Sequence, residues 1–294
     1  MTSETAKTRA AFLGLGEMGA RMAWRLINAG YDLALWNRSP DKTKPFVGRA
    51  RIADSLVDAV RDAEFIFMCL LDGAVVEDVV FGAKGAATGA APNACFVDFS
   101  TVAPALARSA DARLRNAGRG TWLDAPVSGS IGGAEAGTLA IMCGGAVSDL
   151  ERATPLLNVM ARRVTHFGPV GAGLVAKLCN QTIVASQIAA VAEAVHLAMR
   201  SGLDAQKLAG ALQGGWADST LFQLFAPRFA GADLAPLGQI YTMLKDAELA
   251  LKAASDLHAE LPVLSAAASA YRKAGRAGYR ERDLTALMQA FSVA

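Results

Sequence analysis

Gly14-Leu-Gly16-Glu-Met-Gly19 places three glycines where a short apolar run, Arg9 to Gly14, meets a helical pattern from Met18 to Ala29. In a strand–turn–helix each glycine has a task. Gly14 makes the tight turn, Gly16 lets a pyrophosphate approach the backbone, and Gly19 lets helix and strand pack closely. Free N–H groups where the helix opens, around Leu15, Glu17 and Met18, then hold phosphate oxygens. The competing reading is a plain glycine turn with no ligand. The next strand ends Trp36-Asn37-Arg38-Ser39. A site for NAD usually has an acid there, on the ribose 2′-hydroxyl. Here Asn37 stands instead, and Arg38 would attract the 2′-phosphate that an acid repels. Asn37, Arg38 and Ser39 therefore predict NADP, with NAD as the alternative and a solvated arginine as the bland reading.

Hydride transfer between a nicotinamide and a carbonyl carbon needs a proton partner at the oxygen. Lys177 and Asn180 are three residues apart in a helical run and present to one face. An amine among Val175, Ala176, Leu178 and Cys179 is costly to bury, and burial moves an amine's pKa toward neutrality, where it can exchange a proton. On spacing alone a lysine snorkelling to solvent competes with this. Ser128-Gly129-Ser130 follows a predicted strand, and hydroxyl and N–H groups in such a loop suit a carboxylate; an ordinary turn is the alternative. Lys245-Asp246 has a surface ion pair on a helix as its competing reading. Trp216, in Gly214-Gly-Trp-Ala-Asp218-Ser219, either walls a pocket or packs in a core. The three histidines show no metal-ligand spacing, and His196 reads as a polar residue at a helix or subunit contact.

These groups need elements to hold them. Arg9 to Gly14, Asp32 to Trp36, Glu64 to Leu70, Ala94 to Phe99, Thr121 to Ala125 and Leu139 to Cys143 read as strands, separated by helical stretches. Continuous apolar runs such as Phe65-Ile-Phe-Met-Cys-Leu70 suit strands covered on both faces. The pattern predicts an α/β fold: a Rossmann-type doubly wound sheet over 1–166, with ligands along the edge where strands end. Beyond Gly168-Pro-Val-Gly-Ala-Gly173 only helical spacing remains, so 167–294 is expected to be an all-α domain. Leu174 to Arg200 is apolar on nearly every face and should be wholly enclosed, by its own domain or by a partner subunit. The last helices are expected at Ala267 to Gly275 and Asp283 to Phe291.

With these motifs in register, the chain resembles the β-hydroxyacid dehydrogenases. The resemblance rests on Gly14 to Gly19 with Met22-Ala, on Asp124-Ala-Pro-Val-Ser-Gly-Ser130 with Gly137-Thr-Leu, on Gly168 to Gly173 with Lys177 and Asn180, and on Lys245-Asp246 with Leu249-Ala250. It implies that Lys177 is the catalytic lysine, that Asn180 helps hold substrate, and that Ser128 and Gly129 bind the substrate carboxylate. It also implies a cofactor contact at Thr101 near the nicotinamide ribose, Leu70 and Leu71 beside the adenosine half, and Lys245 and Asp246 closing over cofactor and substrate. Two positions depart from the family pattern where substrate would be read: Ser130 for a glycine, and Gln181 for a second asparagine.

The resemblance implies an NADP-dependent oxidoreductase of a small aldehyde acid or 3-hydroxy acid. The leading reading is 2-hydroxy-3-oxopropionate (tartronate semialdehyde) reductase, with glyoxylate/succinic semialdehyde reductase or 3-hydroxyisobutyrate dehydrogenase as alternatives. Imine-reducing relatives usually lack the lysine, and a non-catalytic nucleotide-binding module would naturally lose it. Homodimers or homotetramers are implied. Composition narrows the partners. Lys plus Arg number 29 and Asp plus Glu 27, which gives no support for a nucleic-acid partner. The four cysteines lie in apolar runs without a CxxC pair and are expected to be buried free thiols in a reducing compartment. Met1 to Arg9 has no apolar leader, and polar residues interrupt 174–199, so a cytoplasmic protein with no membrane span is expected.

Overall fold

In the computed structural model, residues 8–232 and 234–292 are described; most of the N-terminal stretch read for a leader, 1–7, lies outside them. The first compact unit runs to Lys177. Its chain order is β1 (Arg9–Leu13), α1 (Glu17–Asn28), β2 (Asp32–Trp36), β3 (Arg51–Ile52), α2 (Leu56–Val60), β4 (Phe65–Met68), α3 (Gly73–Phe81), β5 (Cys95–Asp98), α4 (Pro104–Asn116) and β6 (Thr121–Asp124). Next come β7 (Val127–Ser128), α5 (Ile131–Ala136), β8 (Leu139–Gly144), α6 (Val147–Met160), β9 (Ala161–Gly168) and the start of α7 (Ala172–Arg200). The sheet order is β3-β2-β1-β4-β5-β6-β8-β7, with β9 on β8. Strands β1 to β6 are parallel, in the doubly wound order that reverses between β1 and β4.

Strand alternation sorts the core. Phe12, Phe65, Phe67, Cys95, Val97 and Leu123 turn to the face covered by α1 and α6. Leu13, Ile66, Met68, Phe96 and Trp122 turn to the face covered by α2, α3 and α4. Both faces are buried, so these strands read as unbroken apolar runs.

The sheet departs from the sequence reading beyond β6. β8 runs antiparallel to β6 and β7, and β9 is a strand that the apolar pattern does not reveal. Among the described residues Ala161-Arg-Arg-Val-Thr-His-Phe-Gly168 pairs with β8 alone, and most of its side chains are exposed or half-buried. An edge strand tolerates arginines that an interior strand does not. The two-residue strands β3 and β7 were also illegible. Cys95 and Cys143 are buried as expected, and burial pushes both thiols up to about 12. Cys69 is only half-buried and Cys179 is exposed, which corrects the expectation for those two.

The second unit begins at Leu178, inside α7. Its elements are the rest of α7, α8 (Leu208–Ala211), α9 (Thr220–Phe229), α10 (Ile240–Asp256), α11 (Pro262–Ala274) and α12 (Gln289–Ser292). Residues 283–291 do not form one helix: a 3-10 turn, Leu284–Met288, precedes α12. Leu178, Ala185, Ile188, Ala192 and Val195 of α7 share a core with Phe222, Phe225, Ala250, Leu264 and Tyr271. The buried Tyr271 hydroxyl donates to the Ala185 carbonyl at 3.0 Å. By length and hydropathy α7 could cross a membrane, but this face is core of the second unit. The opposite face is not enclosed by the described residues. Cys179, Ile183, Gln187, Ala190, Ala194 and Leu197 follow one another at helical spacing and are all exposed, Ile183 at 59% and Leu197 at 68%.

Candidate active site

The ends of β1, β2, β4 and β5 carry the residues singled out for a dinucleotide. The Gly14 N–H donates to the Trp36 carbonyl at 3.0 Å, which closes the turn after β1. A Cβ on Gly14, at φ +97°, would lie 2.6 Å from the Cys69 carbonyl oxygen, and one on Gly19 would lie 2.1 Å from that of Gly14. The fold itself therefore demands glycine at both positions. Gly16 is different. Its φ of −70° suits any residue, and beyond its two chain neighbours nothing among the described residues lies within 4 Å of a Cβ built there. Gly16 caps α1 without any side-chain hydrogen bond, whereas Ser55, Asp72 and Ser130 cap α2, α3 and α5 with theirs. An open, uncapped helix start lined by N–H groups fits a phosphate. Glu17 is turned outward, paired with Arg21 at 3.0 Å, and Met18 is half-buried beside it.

Asn37 accepts the Leu15 N–H at 2.8 Å and donates to the Ser39 carbonyl at 3.0 Å. It spends both arms of its carboxamide on the backbone and pins the glycine turn to the end of β2. Leu15, whose side chain is buried, gives its N–H to this bond. Arg38 and Ser39 are exposed, and among the described residues the Arg38 guanidinium takes no hydrogen-bond or ion-pair partner. Two buried groups that sequence reasoning missed brace the neighbouring turns. Ser100 Oγ accepts the Leu70 N–H at 2.9 Å, and Asp98 Oδ1 accepts the Ser100 N–H at 2.9 Å. They fix the loop of Leu70 and exposed Leu71 against the loop of half-buried Thr101.

Ser128 is not in a loop. It ends β7, paired with Ala140. Gly129 follows at φ +136°, a conformation that favours glycine. The Ser130 Oγ accepts the Gly133 N–H at 3.3 Å and caps α5. Lys177 is 8% exposed, so its side chain does not snorkel to solvent. A buried carboxylate, whose role the sequence did not reveal, braces the start of α7. Asp124, fully buried at the end of β6, accepts the Gly171 N–H at 2.6 Å and the Leu174 N–H at 2.8 Å. Burial raises its pKa, and the N–H groups pull it back.

In the second unit Asn180 donates to Gln181 Oε1 at 2.8 Å, and Gln181 donates to Asp246 Oδ2 at 2.6 Å. Lys245 Nζ lies 3.1 Å from Asp246 Oδ1. Asp246 is 5% exposed, so the pair is not the solvated surface ion pair that spacing alone allowed. The longer side chain at Gln181 is what reaches Asp246. This chain of contacts holds the Asn180 carboxamide in one orientation. Trp216 is fully exposed, which removes the core-packing alternative. Its loop is braced by Asp218, which accepts from the Gly214 N–H and from Gln223, both at 2.7 Å; these bonds hold the Asp218 carboxyl below its usual range. Among the described residues no group of three His, Cys, Asp or Glu could hold a metal ion.

Comparison with known proteins agrees over nearly the whole length. Residues 9–168 match the NAD binding domain of 6-phosphogluconate dehydrogenase, and 171–291 match the NAD-binding domain of NADP-dependent 3-hydroxyisobutyrate dehydrogenase. An NAD-dependent L-serine dehydrogenase of Pseudomonas aeruginosa is 36% identical over 96% of this chain and 97% of its own. The 2-hydroxy-3-oxopropionate reductase of Escherichia coli is 33% identical over 96% of each. The Mycobacterium tuberculosis 3-hydroxyisobutyrate dehydrogenase, solved with L-serine, superposes with a TM-score of 0.85 at 33% identity, over 97% of this chain and 99% of that one. A doubly wound sheet with an open glycine cradle, an all-helical second unit and matches of this length place the chain in the β-hydroxyacid dehydrogenase family, as a nicotinamide-dependent oxidoreductase acting on CH–OH groups.

Proposed function

We propose that the chain is an NADP-dependent reductase of a small aldehyde acid, with 2-hydroxy-3-oxopropionate its preferred substrate. The observation that carries the reading is Lys177, an amine buried to 8% exposure in the first turns of α7. When bound, the nicotinamide would supply or take the hydride. Lys177 gives the proton to the carbonyl oxygen during reduction and takes it back during oxidation. In the first unit Ser128 and Gly129 are assigned to the substrate carboxylate; in the second, Asn180, steadied through Gln181 and Asp246, is assigned to substrate binding. Polar groups at Ser128, Ser130 and Asn180 suit a substrate with a hydroxyl next to its carboxylate better than one with a methyl there. The relative named 2-hydroxy-3-oxopropionate reductase supports this choice.

The test is a panel. NADPH oxidation is followed with 2-hydroxy-3-oxopropionate, glyoxylate and succinic semialdehyde, and NADP⁺ reduction with 3-hydroxyisobutyrate and L-serine. The highest kcat/KM is expected with 2-hydroxy-3-oxopropionate; a higher value with another compound reassigns the substrate. Tight NADPH binding with no turnover of any compound would mark a binding module instead.

The cofactor reading rests on Asn37 being turned to the backbone while Arg38 stays exposed, with no side-chain partner among the described residues. Arg38→Ala is expected to raise the KM for NADPH and leave NADH nearly unaffected. Equal use of both cofactors by the wild-type protein sinks the preference. The uncovered face of α7 supports self-association as a homodimer or homotetramer, since an apolar stripe of this length is normally covered. Light scattering at micromolar concentration is expected to give at least twice the 30.5 kDa chain mass; a monomeric mass refutes it.

A further inference from the structure

We infer that Asp124 is a positioning residue for Lys177, clamping the first turn of α7 onto the sheet so that the lysine is held in register. The inference rests on Lys177 being the proton partner. A helix leaves its first N–H groups without partners inside the helix. At α7 a carboxylate from far earlier in the chain supplies them, with one oxygen for Gly171 and the other for Leu174. The seat is shaped for this contact. A Cβ on Gly144 would lie 2.7 Å and 2.8 Å from the two Asp124 oxygens, and one on Gly173 would lie 2.3 Å from the Met142 carbonyl oxygen. Gly171 has φ +95°. Three glycines on two segments thus let the helix start come down onto the end of β6.

Lys177 lies three residues beyond Leu174, about one turn of 3.6 residues up the same helix. A displaced first turn therefore displaces the amine. A carboxylate is the only side chain of this size with two acceptor oxygens and no donor. Asparagine in its place could satisfy one N–H and would aim its own NH₂ at the other.

The test uses full-length Asp124→Asn and Gly173→Ala, alone and each combined with Lys177→Ala. Fold is checked by thermal melting, NADPH affinity by fluorescence titration, and turnover with 2-hydroxy-3-oxopropionate. Each single variant is expected to bind NADPH as the wild type does, keep its KM for the aldehyde acid, and lose roughly 10- to 10²-fold in kcat, the scale of a small misplacement. Added to Lys177→Ala, neither change should slow the enzyme further, because both act through the lysine. Wild-type kcat in the single variants, or defects that multiply in the double variants, overturns the inference. Loss of fold or of NADPH binding in both single variants assigns the clamp to folding alone and overturns it as well. If only Asp124→Asn fails to fold, Gly173→Ala decides. Should Lys177→Ala itself keep full turnover, the reading of Lys177 falls, and that result is separate from either single variant.

Discussion

Lys177→Ala is expected to lower kcat by roughly 10²–10⁴-fold, the scale of general acid–base catalysis, while NADPH binding survives. The substitution removes the ammonium but leaves the glycine turn at the end of β1 untouched. The buried side chain makes a solvent-exposed proton donor a poor substitute. Lys177→Arg should be nearly as damaging, because a guanidinium keeps its charge but cannot release its proton near neutral pH. Steady-state kinetics and a fluorescence titration of NADPH check both variants. If Lys177→Arg retains most of the activity, the lysine is an electrostatic anchor and a water is the proton donor. If Lys177→Ala abolishes NADPH binding, the lysine belongs to the cofactor site and the mechanism is wrong.

Gly16→Asp should separate folding from cofactor binding. Gly16 has an ordinary φ of −70°, and beyond its two chain neighbours nothing among the described residues lies within 4 Å of a Cβ there, so a side chain can begin at this position without a clash. Aspartate is also among the best N-cap residues, so α1 should gain a cap, worth a few tenths of a kcal/mol over glycine. The melting temperature is expected to stay level or rise slightly. The same carboxylate would occupy the seat of the pyrophosphate and repel it, so NADPH affinity should fall by more than about 10²-fold; a like-charge juxtaposition costs several kcal/mol. A variant that melts normally and still binds NADPH would remove the phosphate from this turn. The contrast with Gly19 is instructive: there a Cβ would meet the Gly14 carbonyl oxygen at 2.1 Å, so a substitution damages the turn itself.

The parts legible in the sequence were those governed by local rules. Strands β1, β2, β4, β5 and β6 declared themselves because strands buried on both faces must be apolar throughout, and β8 declared itself by its apolar run although one of its faces is only half-buried. The glycine turn was legible because its spacing between strand and helix is a local matter, and the missing acid after β2 is a single position. The edge strand β9 escaped because one side of it is solvated, so its arginines mimic a loop. Other decisions belonged to the tertiary structure, because they depend on groups far apart in the chain. Only the fold shows that Gly14 and Gly19 answer to the protein's own carbonyls while Gly16 answers to nothing within it. Spacing could not distinguish a buried Lys177 from one reaching solvent, nor Lys245-Asp246 from a surface pair, since burial is set by neighbours that other segments supply. Gln181 meets Asp246 across 65 residues, and Asp124 meets Gly171 and Leu174 across 47 and 50. A carboxylate at a strand end looks the same in sequence whether it faces water or clamps a helix. Folding decides which, because a buried carboxylate must find N–H donors, and only the packed chain brings them to it.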